Sequence, residues 1–209
     1  MTKIIGLNAL AVTLVLPWFL AFAAHAQGSQ WCPPAGLVIK GTNRQGEFIR
    51  TTKGADPADS TVCVWHSIGP GAGLDYDKTV RFIYGWLPLQ NFAMTEETEK
   101  SARAGIGAIL SGQSKEVSFE MTNRRPGGGT SWSGIDSWKN TGSATISIGG
   151  RPTNVITLRE AFKGGANTSY DGYWDLWYDP VLHLFVKGEQ HAIGGPVQNG
   201  FEVLSVSPH

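Results

Sequence analysis

The sequence predicts a mainly β protein: a curved antiparallel sheet, built as a half-barrel or a sandwich, with one short helix near residues 95–110. Three observations carry this prediction. Apolar and polar residues alternate at period two in stretches after residue 30, turns bearing glycine or proline separate those stretches, and a single segment has the composition of a helix.

The first 26 residues stand apart from that pattern. Lys3 precedes an apolar run from Ile4 to Ala24, interrupted only by Asn8 and Thr13, and Ala24-His25-Ala26 places small residues three and one positions before Gln27. This is the pattern of a cleaved secretory signal, and Pro17 inside the run argues against a retained helix. The sequence therefore predicts a signal peptide over 1–26, a single β-rich domain over 27–209, and a periplasmic or secreted location. No later apolar run reaches the length needed to span a bilayer, so no transmembrane anchor is expected after cleavage.

Charge narrows the partners. The chain carries 17 basic and 17 acidic side chains, of which only Lys3 belongs to the leader, so there is no electrostatic footprint for nucleic acid. The two cysteines, Cys32 and Cys63, leave no odd thiol if they join each other in an oxidising compartment, and a redox C-x-x-C spacing is absent. A bridge closing a loop of that size contributes about 3–4 kcal/mol on the chain-entropy account.

The strands follow in order. Gly36 to Lys40 and Glu47 to Thr51 flank a polar turn containing Gly46, a first hairpin. Val80, Phe82, Tyr84 and Trp86 fall on one face of a strand with Arg81 on the other. The helix comes next: Thr95 is a capping residue, Glu96, Glu97 and Glu99 sit where the helix dipole favours acids, and Gly105, Gly107 and Gly112 weaken and then stop it. Val117, Phe119 and Met121 alternate with Glu116, Ser118 and Glu120, a strand with one dry and one wet face. Ile146 and Ile148 lead into Gly149-Gly150 and a return strand from Asn154 to Glu160. Tyr173 to Tyr178 and Leu182 to Lys187 flank the turn dipeptide Asp179-Pro180, and Phe201 to Val206 closes the chain. Gly69 to Gly73 and Pro126 to Gly129 are loops.

Several of these segments carry a resemblance. Gly112, Lys115, Val117 and Phe119, then Trp138, the hairpin ending in Glu160, and Trp177-Tyr178-Asp179-Pro180-Val181-Leu182 followed by Val186-Lys187-Gly188-Glu189 resemble uncharacterised exported β-rich proteins of proteobacteria with a WYDP-x-L turn. The resemblance covers residues 100–190, and Cys32-Pro33-Pro34 with the stretch from Asp56 to Cys63 is similar to the start of such chains. It implies a bacterial envelope setting and a curved antiparallel sheet, and no reaction.

Candidate chemistry is sparse. Tyr173, Trp174, Trp177 and Tyr178, with Tyr170 nearby, are the candidate ligand-binding residues: aromatic rings stack on sugars or line an apolar cavity. Strand alternation puts Trp174 and Tyr178 with Leu176 on one side and Tyr173 and Trp177 with Asp175 on the other. His66, His183, His191 and His209 lack metal-ligand spacing, so no metal site is expected, and no nucleotide or cofactor motif is present. The sequence points to an exported, non-enzymatic protein that binds an apolar or envelope-derived ligand or a protein partner. The alternative is an envelope glycan hydrolase using Asp175, Asp179 and Glu189, which requires two of those carboxylates to face one cleft.

Overall fold

The computed structural model describes residues 31–69, 78–89, 93–124, 132–165, 171–192 and 197–208. The leader predicted over 1–26, Tyr170, His209 and most of both predicted loops lie outside these residues. Among the described residues twelve strands form a single sheet: β1 (Leu37–Asn43), β2 (Gly46–Asp56), β3 (Asp59–Ile68), β4 (Lys78–Ile83), β5 (Leu87–Pro88), β6 (Ala93–Met94), β7 (Glu116–Arg124), β8 (Trp132–Ile148), β9 (Arg151–Gly164), β10 (Asp171–Asp179), β11 (Leu184–Ala192) and β12 (Val197–Pro208). Every neighbouring pair whose register is defined is antiparallel, and the order is β5-β4-β3-β2-β1-β12-β11-β10-β9-β8-β7-β6. The first and last strands therefore meet mid-sheet, while the chain reaches the two edges at β5 and β6.

The helix α1 (Glu96–Leu110) joins β6 to β7 and holds the two halves of the sheet together. One buried cluster contains Val62, Ile83, Tyr84 and Leu87 from the first half, Ala102, Ile106 and Ile109 from α1, and Phe119, Trp138, Leu158 and Leu176 from the second half. An open sheet whose halves both pack on one helix must curl around it, as the sequence predicts. Thr95 caps α1 by accepting from the Thr98 amide, and the helix reaches Leu110 despite its two internal glycines. Those glycines have a packing reason. A Cβ on Gly107 would lie 2.7 Å from the Tyr84 hydroxyl and one on Gly105 would lie 3.0 Å from Phe119, so each permits the helix to approach one wall of the sheet. The Tyr84 hydroxyl donates to the Arg103 carbonyl at 3.0 Å on the same side.

The disulfide forms as expected. Cys32 and Cys63 are bonded, with Cα atoms 5.2 Å apart and both residues buried. The bridge pins the segment before β1 onto β3, and on the neighbouring β2 the Thr52 hydroxyl donates to the Pro34 carbonyl and accepts from the Leu37 amide.

Several predicted elements change. The strand expected from Val80 through Trp86 ends at Ile83, because Tyr84 adopts a left-handed backbone (φ 51°) and Gly85 follows it (φ 71°). Alternation alone does not register that reversal; it turns Trp86 away from the strand face of Val80 and Phe82. Strand β3 had no alternation signal of its own, since burial of both Val62 and Cys63 gives it two dry faces near the helix. Strand β8 extends far beyond the predicted Thr145–Ile148 segment, and a bulge between Asn140 and Gly142 interrupts its alternation. The hairpin about Asp179-Pro180 is present, with β10 and β11 paired and a register shift at Trp177 and Tyr178.

Candidate functional site

Directly opposed residues on antiparallel strands project to the same side. Trp138 of β8 is opposed to Glu160 of β9, and Glu160 to Trp174 of β10, so these three form a row across the sheet. Their side is the one facing α1, since Phe119, Leu158 and Leu176 on it belong to the cluster that contains the helix. Trp86 arrives from the opposite half of the sheet, delivered by the Tyr84-Gly85 reversal. Its ring meets Trp174 edge-on at 5.4 Å and Trp138 at 6.5 Å, touches Phe185 at 5.3 Å and Phe201 at 6.2 Å, and its Nε1 donates to Glu160 Oε2 at 2.9 Å. Trp86, Glu160 and Trp174 are half-buried, while Trp138 beneath them is fully buried.

Two carboxyl groups sit in this apolar setting. Asp136 lies two residues before Trp138 on the same face and is 1% exposed; no hydrogen bond of full geometry reaches its oxygens or the Trp138 Nε1, and the Trp138 indole and the Ser137 backbone act on it only as weaker contacts that oppose the effect of burial. Burial pushes the Asp136 carboxyl up to about 7. Burial, with the Asp136 charge as a second cause, holds Glu160 well above the usual carboxylate range, against the opposing Trp86 hydrogen bond. Both carboxyls therefore keep their protons to higher pH than ordinary acids do, beside the indole rings of this part of the face. Charge enters the same face from β2, where Arg50 stacks over the Phe48 ring at 4.7 Å.

The four aromatic residues singled out by the sequence divide between the two sides, as alternation requires. Trp174 joins the Trp86 centre. Tyr178 is buried against Phe185 at 5.0 Å, with its hydroxyl 3.2 Å from His183 Nδ1. Tyr173 and Trp177 lie on the opposite side of the sheet. There the Tyr173 ring stacks on His191 (4.7 Å, 11° between planes) and under the Arg159 guanidinium (4.3 Å), and Lys187 covers Trp177 at 4.7 Å. Arg159 donates two hydrogen bonds to Asp175 at 2.8 and 3.1 Å, and Lys187 pairs with Glu189 at 2.8 Å. Asp175 and Glu189 are directly opposed, yet each is held by a cation. Asp179 is elsewhere: its Oδ1 accepts from the amides of Val181 and Leu182 and fixes the β10–β11 turn. An open cleft of about 790 Å³ along β11, β12 and the β1–β2 turn touches none of the four aromatics. No group of metal-ligating side chains occurs among the described residues.

The fold is similar to that of the hypothetical lipoprotein YmcC of Escherichia coli K12. That likeness has a TM-score of 0.50 at 12% identity and covers 85% of this chain and 88% of that one. A protein with a YmcC-like fold from Bacteroides fragilis NCTC 9343 aligns at a TM-score of 0.43 and 9% identity, over 85% of this chain and 98% of its own. No family model matches the sequence, and no curated protein matches it.

Sequence reasoning missed Trp86, Asp136, Glu160 and Arg50. Alternation places Trp86 on a strand it does not join, although Gly85 beside it signals a reversal. Asp136 and Glu160 are separated by 24 positions of sequence (160 minus 136) and become neighbours through the β8–β9 register.

Proposed function

We propose that this is an exported, non-enzymatic protein whose helix-facing sheet surface holds an apolar or envelope-derived ligand. The observation that carries the reading is the Trp86 centre. Three tryptophans and two phenylalanines converge from both halves of the sheet on a half-buried site whose acids burial holds above the ordinary carboxylate range, a surface suited to apolar contact with few oriented polar groups. The predicted leader, the disulfide and the YmcC-like fold support an envelope setting, and no helix among the described residues is long and apolar enough to cross a membrane. Against the glycan-hydrolase alternative stand the commitment of Asp179 to its turn and the pairing of Asp175 and Glu189, opposed on one face, with Arg159 and Lys187.

The test is native mass spectrometry of the protein purified from its own envelope, compared with the denatured mass and with a Trp86→Ala variant. A retained adduct that is lost in the variant is the expected result. A bare native mass, with no adduct after incubation with envelope lipid extract, would refute ligand binding.

A further inference from the structure

Arg50 is the residue that the apolar reading leaves without a role. The strand register carries the helix-facing side across the middle of the sheet: Leu176 opposes Gly188, Gly188 opposes Phe201, Val203 opposes Gly41, and Gly41 opposes Phe48. Phe48 and Arg50 are two apart on β2, so the guanidinium belongs to the same side as the Trp86 centre. Gly188 and Gly41 keep that side open for the two rings: a Cβ on Gly188 would fall 2.5 Å from Phe201 and one on Gly41 would fall 2.4 Å from Phe48.

The surroundings of Arg50 are incomplete in a specific way. Phe48, 2% exposed, supports the flat face of the guanidinium and leaves its N–H edge free. The buried Nε has no hydrogen-bond partner, and no carboxylate pairs with Arg50 among the described residues. Burial lowers the guanidinium to about 10, with no neighbouring charge acting on it. Directly opposite on β3 stands Ser67, which is 1% exposed and whose Oγ is also without a partner. A half-buried cation with a buried, unpartnered Nε, and a fully buried unpartnered hydroxyl at the opposed position of the neighbouring strand, are costly unless something completes them. The missing complement is an oxyanion, which a guanidinium fork grips with two hydrogen bonds and to which a serine hydroxyl donates a third.

Position along the strands fits this assignment. Arg103 of α1 anchors near Asp59 and Thr61, at the end of β2–β3 marked by Asp56, whereas Arg50 lies about 20 Å away along β2, towards the β1–β2 turn. The helix therefore covers one end of the apolar face and the cation stands towards the other.

We propose that Arg50 and Ser67 form the headgroup subsite for an anionic amphiphile, with an oxyanion on the guanidinium and the tail directed past Phe201 towards the Trp86 centre. This rests on the ligand-binding reading above and adds the charge class of the ligand. The test is calorimetric titration of the full mature chain with dodecyl probes kept below their micelle concentrations: laurate, dodecyl phosphate, dodecyltrimethylammonium and dodecyl maltoside. At least one anionic probe is expected to bind about tenfold or more tightly than the cationic and neutral ones, and Arg50→Gln is expected to remove that preference. Ser67→Ala should weaken the same probe by a smaller factor. Laurate alone binding would identify a carboxylate source, and dodecyl phosphate alone a phosphate source; either supports the subsite. Equal binding of all four probes would overturn the subsite and leave the apolar site standing. Binding of none would overturn the apolar site itself. Should Arg50→Gln fail to fold, the ranking of the four probes on the unaltered protein still decides.

Discussion

Asp136 offers the sharpest test of how the apolar centre is built. Its carboxyl is 1% exposed, and burial, opposed only by weaker contacts with the Trp138 indole and the Ser137 backbone, raises it from an ordinary 3.8 to about 7. Between those two values the folded protein keeps a proton that the unfolded chain has released. The folded state thus binds more protons, and stability falls as pH rises through this window. Below pH 3.8 both states are protonated and Asp136 contributes no pH dependence. The slope is about 1.4 kcal/mol per pH unit, and the full loss by neutral pH is about 4 kcal/mol. Glu160 acts in the same direction, and part of its rise comes from the Asp136 charge. Asn at position 136 has nearly the same volume and no ionisable proton, so its burial cost is the same at every pH. Urea denaturation of the unaltered protein and of Asp136→Asn, at half-unit steps from pH 4.5 to 8, measures the difference. The unaltered protein is expected to lose several kcal/mol more than the variant over that range, and the variant to be the more stable of the two at pH 8. Parallel profiles would refute the claim that burial holds the Asp136 carboxyl well above its ordinary value.

Three other outcomes follow from particular contacts. Gly107→Ala raises helix propensity by about 1 kcal/mol on general grounds, yet its Cβ would meet the Tyr84 hydroxyl at 2.7 Å, so thermal melts should show a net loss that Tyr84→Phe partly restores. Reduction of the Cys32–Cys63 bridge should lower stability in urea by about 3–4 kcal/mol, and an unchanged midpoint would show that the segment before β1 is held by the Thr52 contacts alone. Gly188→Ala should displace Phe201, whose Cε1 lies 2.5 Å from the new Cβ, and change the tryptophan emission through Trp86; an unaltered spectrum and melt would contradict the close packing of that face.

What could be read in the chain was local. Alternation at Val117 to Met121, the Thr95 cap with its acidic first turn, and the Asp179-Pro180 dipeptide each predict their own element from neighbouring residues, and each is present. The division of Tyr173 and Trp177 from Trp174 and Tyr178 was likewise fixed by the two-residue period of a strand. A bulge or a left-handed residue defeats such reasoning, as at Asn140–Gly142 and Tyr84, because each shifts the pattern by a residue without changing composition.

By itself, then, the sequence determined the fold class, the helix after Thr95, the pairing of its only two cysteines and the near-balance of charge, all of which depend on composition or on residues a few positions apart. Only the tertiary structure decided which residues share a face. Trp86 and Glu160 are hydrogen-bonded across 74 positions, Asp136 meets Glu160 through a register set by the whole β8–β9 ladder, and Arg50 joins their side only through the pairing of β1 with β12. Those contacts depend on strand order and on the curl imposed by α1. Both arise from burying apolar surface over the whole sheet, a cooperative quantity that no short stretch of sequence specifies.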